Sequence, residues 1–451
     1  MKDYTKRKTG FSRIVASMCL IVMISAPSTA CQKAPTSESP VTTDSPAAIA
    51  VEQTDTDAAP SVPQSIEVPE YVEQSPTEIA NLELEIDADV TVPQDASFLL
   101  LEVEPRNLTV TDVQTVVETA TGIAAPVLYS QYEPGRDYWD RKLTEAVESG
   151  SASTEYIESL EQKRSEAPEQ TEKTVFDGAM PSDSDGAGMY LYFENGSEVG
   201  SLNFLPGGNL VSLERDITEH AMPESAMDAE SGEVIRDEPV ISEEEARKEA
   251  EACRDKLAPD LTEVFVEPCL ITSSGRGQVT GWRFVFTRSV ADLQKTFFPD
   301  SFYINPESAP TVAAPWTPEQ LIVTVDDRGI VALMWTGASD PTGAEPEDAS
   351  LVPFSDIQQQ AVTQLGYMYG PMENGDGQGM KLTITDFSLG TEMLAAADNP
   401  EMGVYTPVWA VSYDYSYGGA SEMSHGQIFL DAQNGRYVEP RVTTAYLMEY
   451  Q

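Results

Sequence analysis

Leu321-Ile322-Val323-Thr324-Val325-Asp326-Asp327-Arg328-Gly329-Ile330-Val331-Ala332-Leu333-Met334-Trp335 reads as a strand, a tight turn and a returning strand. β-branched and apolar residues fill the flanks, while two aspartates and a glycine supply the turn chemistry between them. Upstream, Trp282, Phe284 and Phe286 share one parity of an earlier strand, and a further strand is expected over 263–271. Ser242 precedes a helical pattern over 243–256, in the N-cap position. The same order recurs downstream. Ser355 stands before a helix over 356–365, strands follow at 381–389 and around Trp409, Val411 and Tyr413, and the series closes with 428–430, a turn ending at Asn434-Gly435, and 436–438.

Agreement in order, phase and turn chemistry predicts a duplicated unit, one helix laid on one antiparallel sheet. The units span 237–336 and 350–451, with an acidic Pro/Gly linker over 337–349. The first carries an insert from about Ser289 to Glu319, rich in Pro, Phe and Tyr, expected to pack over its own sheet. An N-terminal domain over 79–236 is expected to be mixed. Leu82, Leu84, Ile86, Ala88 and Val90 alternate with polar residues as in a half-buried strand, and 98–103 makes a second. Thr111 and Gln114 make a capping box for a helix that Gly122 ends. A helical pair follows over 138–165, divided at Gly150-Ser151, with Tyr138, Trp139, Leu143, Ala146 and Val147 and then Tyr156, Ile157 and Leu160 as its apolar stripe. A meander runs from Met189 to Leu213, with turns at Asn195-Gly196 and over 206–209. The fold class is therefore α+β, a mixed N-terminal domain followed by two helix-on-sheet units.

The chain opens with Lys6, Arg7, Lys8 and Arg13 ahead of an apolar run over 14–26, the form of a signal peptide occupying 1–30. Ser28-Thr29-Ala30-Cys31 then reads as a lipoprotein cleavage site, with Cys31 the lipidated residue. Ser28 stands where an aliphatic residue is usual, and Ser28-x-Ala30 also suits ordinary signal peptidase, which would release a soluble secreted form. Residues 31–78 are rich in Pro, Ser, Thr, Asp and Glu, with Lys33 the one basic residue before Arg106, and are expected to form a disordered acidic tether. No later stretch approaches the ~18 apolar residues of a membrane-spanning helix, so attachment would run through the lipid alone. The expected location is the extracellular face of the cell membrane in a bacterium of Gram-positive type.

The formal charge is −48, from 27 basic and 75 acidic residues. Removing 1–30 takes away five basic residues and Asp3, leaving about −52. Such a field repels phosphates, so nucleic acid is excluded as a partner. Cys253 and Cys269 are the cysteines left beyond Cys31, and they read either as a disulfide or as two buried thiols. Asp183, Asp185, Gly188 and Glu194 mimic a calcium loop, but Ala187 fills a ligand position and a strand follows, so a polar turn is the better reading. His220 has no partner at ligand spacing, and no metal or cofactor is expected. Ser424 beside His425 suggests a nucleophile and its base, but adjacent strand residues point to opposite sides, and a polar turn before the strand at Ile428 is the better reading. No Gly-x-Ser-x-Gly elbow, phosphate loop or dinucleotide fingerprint is present, and no catalytic residue is assigned. Trp409, Tyr413, Tyr415 and Tyr417 share one parity of a strand that runs into Gly418-Gly419. They serve either as core under a helix or, at Tyr417, Tyr415 and Trp409, as contacts for a partner.

Ile86-Asp87-Ala88-Asp89-Val90-Thr91-Val92-Pro93, Pro315-Trp316 with the run from Leu321 to Val331, and Pro407-Val408-Trp409 resemble the pattern of large clostridial lipoproteins of unassigned function. The closing units are similar, more loosely, to the sheet modules of extracytoplasmic regulators such as YycH and YycI and to PepSY domains. That resemblance implies binding to proteins, sensor kinases or peptidases, and brings no catalytic residues with it. The expected function is a membrane-anchored extracellular lipoprotein that binds an envelope or surface protein without catalysis. The alternatives are a glycan or peptide hydrolase working through carboxylates, and a solute-binding lipoprotein with a cleft between two lobes.

Overall fold

The computed structural model describes residues 67–79, 81–93, 97–150, 152–179, 188–205, 210–216, 220–223, 238–273, 277–294, 312–370, 379–396, 399–417 and 424–439. The signal peptide, Cys31 and most of the expected tether lie outside them. The last part of that tether is instead a strand, β1 (Tyr71–Ile79), paired antiparallel with β2 (Leu82–Thr91). Backbone pairing, Val72 packed on the core and a hydrogen bond from the Tyr71 hydroxyl to Asp87 hold β1 in place, although its composition reads as disordered. In β2 the alternation holds: Leu82, Leu84, Ile86 and Ala88 are buried, and Asp87 and Asp89 on the other parity are exposed.

β3 (Leu99–Pro105) leads to α1 (Val110–Thr121). The N-cap lies two residues before the expected Thr111. Thr109 is the N-cap and Asp112 completes the capping box, with Arg106 Nη2 holding Asp112 Oδ1 at 2.7 Å. Gly122, at φ 73°, ends it as expected. β4 (Tyr129–Glu133) precedes a helical pair, α2 (Arg136–Ser149) and α3 (Thr154–Glu166), which buries Tyr138, Trp139, Ala146 and Leu160 against Val199. Val147, expected in this stripe, is exposed, and Lys142 takes a buried place on α2. Then come β5 (Glu172–Val175), the meander β6 (Met189–Asn195), β7 (Glu198–Leu205) and β8 (Leu210–Glu214), and β9 (His220–Pro223).

The first repeated unit holds α4 (Glu243–Leu257), β10 (Leu261–Ser273), β11 (Gly277–Arg288), β12 (Val312–Ala313), β13 (Gln320–Asp326) and β14 (Gly329–Thr336). Two short strands follow, β15 (Ser339–Pro341) and β16 (Glu347–Asp348). The second unit holds α5 (Phe354–Tyr369), β17 (Met380–Ala395), β18 (Gly403–Tyr417), β19 (Ser424–Asp431) and β20 (Tyr437–Glu439). In both, one helix precedes four strands that pair in succession as an antiparallel meander, β10-β11-β13-β14 and β17-β18-β19-β20. The closing turns also match. Asp326 Oδ1 accepts the Arg328 amide at 2.8 Å and Asp431 Oδ1 accepts the Gln433 amide at 2.9 Å. Each turn ends on a glycine with positive φ, Gly329 at 96° and Gly435 at 71°.

α4 buries Ala246, Ala250, Cys253 and Leu257 on Phe284, Phe286, Leu321 and Val323. α5 buries Ile357, Ala361 and Leu365 on Leu382, Ile384, Trp409 and Ile428. Ser242 caps α4, its hydroxyl accepting the Glu245 amide at 3.3 Å. Ser355, the expected cap of α5, lies inside the helix, and Pro353 is the N-cap. Phe354 is wedged against Phe387 and Trp409, with ring centroids 5.2 and 5.1 Å away, and this anchor starts the helix earlier than the serine would.

The sheets do not follow the expected blocks. The first sheet runs β1-β2-β17-β18-β19-β20-β12, with β3 also on β18 and β15 and β16 on β3. The second runs β5-β4-β6-β7-β8-β14-β13-β11-β10-β9. Residues of the expected N-terminal domain are therefore shared between both sheets, β2 parallel to β17 and β8 antiparallel to β14. The expected linker contributes strands at β15 and β16. Residues 295–311 of the expected insert lie outside the described residues. Apolar residues of its described ends pack on the first sheet rather than on their own: Leu293 joins the core under α5, and Val290 and Ala314 pack with Val103, Met393 and Tyr405. β12 pairs parallel with β20.

Phe387 lies fully buried under α5 and touches Phe354. Phe387→Ala is expected to cost about 3–5 kcal/mol, read as a lower urea midpoint with an unchanged slope.

Candidate functional site

The alternation that turns Leu82, Leu84, Leu382, Ile384, Tyr413 and Ile428 toward α5 sends the intervening residues to the outer face of the first sheet. Strand register lines them up in two transverse rows. Glu85, Thr383, Asp414 and His425 are consecutive partners across β2, β17, β18 and β19, and Glu83, Lys381 and Ser416 form the adjacent row. Lys381 Nζ donates to Glu83 Oε1 at 2.8 Å, Thr383 Oγ1 to Glu85 Oε1 at 2.8 Å, and His425 Nδ1 stands 2.5 Å from Asp414 Oδ1. A trough of about 160 Å³ lies between the rows, lined by Glu83, Glu85, Lys381, Thr383, Asp414 and Ser416. The hydrogen bond and charge of Glu83 push the Lys381 ammonium pKa up.

Farther along the same face a bulge in β17 brings Asp386 beside Asp89. Burial pushes the Asp386 carboxyl pKa up; the Ser388 hydroxyl opposes this and the Asp89 charge adds to it. The arrangement thus offers carboxylates, one ammonium and one oriented imidazole on an open sheet surface. His425 finds its partner across the strands in Asp414 and not in its neighbour Ser424, and both residues belong to β19 rather than to the polar turn expected there, because they pair with Asp414 and Tyr415 of β18.

The sequence candidates are dispersed. Trp409 is 1% exposed in the core beneath α5 and so presents no docking surface as expected of a partner contact, whereas Tyr415 is half-buried, packed against the same core beside Tyr369 and Tyr413. The Tyr369 and Tyr413 hydroxyls meet at 2.7 Å inside it. The backbone of Tyr417 closes β18, and its side chain lies outside the described residues. Cys253 and Cys269 do not form a disulfide. Cys253 belongs to the core under α4, whereas Cys269 packs with Ile271 and Val331 in a separate cluster. Burial pushes the Cys253 thiol up to about 12.

Asp183 and Asp185 of the calcium-like stretch lie outside the described residues. Glu194 is engaged by Lys173, Tyr132 and Tyr129; burial pushes its carboxyl pKa up, but these hydrogen bonds outweigh it and the net shift is downward. Among the described residues no cluster of three or more His, Cys, Asp or Glu is placed to hold a metal ion. No helix among them is long and apolar enough to cross a membrane.

Two buried ionic nodes had no sequence signal, because their members are scattered charges in apolar surroundings. Lys142 Nζ meets Asp216 Oδ2 at 2.5 Å, and the Tyr138 hydroxyl donates to Asp216 Oδ1 at 3.1 Å. Burial pushes the Lys142 ammonium down, and the Asp216 charge outweighs it to leave the pKa raised. The second node joins Arg288 and Glu319.

No family model matches this chain, and no curated protein matches it. Among solved structures it is similar to the crystal structure of an uncharacterized protein from Eubacterium rectale, at 12% identity and a TM-score of 0.43, over 83% of this chain and 94% of that one.

Because the Asp386 pKa is raised by folding, the folded chain holds this proton at pH values where the unfolded chain, near the ordinary value of about 4, has lost it. The contribution of this group to stability is therefore full at low pH and declines as pH rises through the raised pKa. Asp386→Asn stays neutral throughout. It is expected to unfold at higher urea than the wild type at about pH 7, with the gap closing below about pH 4.

Proposed function

We propose that this chain is a lipid-anchored protein of the cell envelope whose folded part binds another envelope or surface protein and catalyses no reaction. Cys31 would carry the lipid, the acidic stretch between Cys31 and β1 would set the distance from the membrane, and the extracellular face would be the working side. The observation that carries the binding part is the form of the outer face of the first sheet. Its trough of about 160 Å³ is smaller than the ~300–1,000 Å³ of small-molecule sites, and its lining comes from three neighbouring strands of an open sheet, β2, β17 and β18. Such a surface suits side chains presented by another macromolecule. Its acids, on a chain of formal charge −48, favour a partner with basic side chains at the contact. The similarity of the C-terminal units to the sheet modules of extracytoplasmic regulators accords with this reading.

Two measurements test it. A labelled fatty acid is expected to enter the wild type and not Cys31→Ala; equal labelling of both removes the anchor. A photoreactive residue in place of Lys381, which is well exposed, is expected to cross-link in cells to one protein, with a yield that falls as salt is raised. The same residue in place of Val147, exposed on α2, serves as the control. Equal capture at both positions removes the assignment of the binding face.

A further inference from the structure

The two sheets meet at a buried ionic node. Arg288 ends β11, Glu319 stands directly before β13 and Trp335 lies in β14, all on the second sheet. Ser339 opens β15 and Tyr405 lies in β18, both on the first. Within the second sheet, Arg288 Nη2 and Nε donate to Glu319 Oε2 at 2.5 and 3.2 Å, and Trp335 Nε1 donates to Glu319 Oε1 at 3.2 Å. Three hydrogen bonds cross to the first sheet, and each uses a member of the ion pair. Arg288 Nη2 donates to the Ser339 carbonyl at 2.9 Å, the Ser339 hydroxyl donates to Glu319 Oε2 at 3.3 Å, and the Glu319 amide donates to the Tyr405 hydroxyl at 3.4 Å. All five residues are at most 5% exposed.

The backbone around the node is tight. Gly337 has φ 62°, and a Cβ there would sit 2.0 Å from the Thr317 carbonyl oxygen, so the strand-to-strand crossing at 336–339 lies directly on the segment that delivers Glu319. The Arg106 amide donates to the Ala338 carbonyl at 2.9 Å, and the Arg106 guanidinium lies 5.3 Å from the Trp335 ring centroid, tying the β3-to-α1 crossing to the same point. Val103, Val290, Ala314, Met393 and Tyr405 seal the seam with apolar contacts.

A buried ion pair adds little net stability, but taking hydrogen-bond partners from either buried charge is unfavourable, because no water is in place to replace them. Rotation of one sheet against the other would break the three crossing bonds at once and leave Arg288 and Glu319 short of partners. Hinge-bending proteins instead absorb their motion at a few loop or element-terminal residues. We propose that the Arg288–Glu319 pair locks the two sheets into one rigid body, so that the protein offers a preformed surface and does not close around a ligand as two lobes. The lock stands apart from the identity of the binding face, and it opposes the solute-capture alternative.

The test is an inter-sheet distance in the full chain. Spin labels at Val175→Cys on β5 and Tyr367→Cys on α5, both exposed, are read by pulsed dipolar spectroscopy in a background of Cys19→Ser and Cys31→Ser. Cys253 and Cys269 are buried and stay unlabelled. The wild-type node is expected to give one narrow distance. Glu319→Gln, which removes the charge but keeps the shape, is expected to broaden it or split it in two. Arg288→Lys keeps a cation and gives up the fork that reaches both Glu319 and the Ser339 carbonyl, so it is expected to broaden the distance as well and serves if Glu319→Gln does not fold. Two distances with the wild-type node, or an unchanged narrow distance in either folded variant, overturn the lock.

Discussion

A sheet with one apolar face must cover it, and in both units the cover is the helix that comes just before the meander. α4 over Phe284, Phe286 and Leu321, and α5 over Leu382, Trp409 and Ile428, are the same solution reached twice. Everything else in the fold is arranged around this requirement. Once the helix occupies one face, the strands' other parity is left for polar chemistry, as at Glu83, Lys381 and Asp414, or for contact with another layer, as at Val199 beneath α2 and α3. The aspartate and glycine turn closing each meander fits the same logic. Asp326 and Asp431 are buried, and each satisfies a turn amide that the sheet leaves without a strand partner.

The two sheets then differ in what extends their edges. In the second sheet β14 accepts β8, so that a second meander, β6-β7-β8, continues the layer under α1 and α4 together. In the first sheet it is β17 that is extended, by β2 in parallel, and the hairpin partner β1 finishes that edge. Pairing through backbone groups explains why such different segments are accepted: the hydrogen bonds of a sheet edge do not discriminate between sequences, and only the buried parity of the incoming strand has to match.

The outer face of the first sheet shows how a candidate site arises from register. Glu85 and Asp414 are 329 positions apart in sequence and meet in one row because β17 lies between their strands. The aromatic residues are the most conspicuous side chains of β18, and in sequence they suit either a core stripe or a binding stripe. Trp409 and Tyr413 were needed inside, since large aromatic residues bury the most area and a helix was waiting to cover them. Asp414 and Ser416 lie on the opposite parity, where single polar residues look in sequence like ordinary solvated surface.

By itself the sequence determined which residues of each strand face inward, where Ser242 begins a helix and Gly122 ends one, and that two units share one plan, because periodicity, capping and turn chemistry act over a few residues. It did not determine that β1 is a strand, that the stretch after β14 adds strands to β3, that Cys253 and Cys269 lie in separate clusters, or that Arg288 and Glu319 share a buried node between the sheets. Those were decided only in the tertiary structure. Strand edges pair through a backbone common to all residues, and a buried charge finds its partner through the packing of distant segments, so neither leaves a local pattern to read.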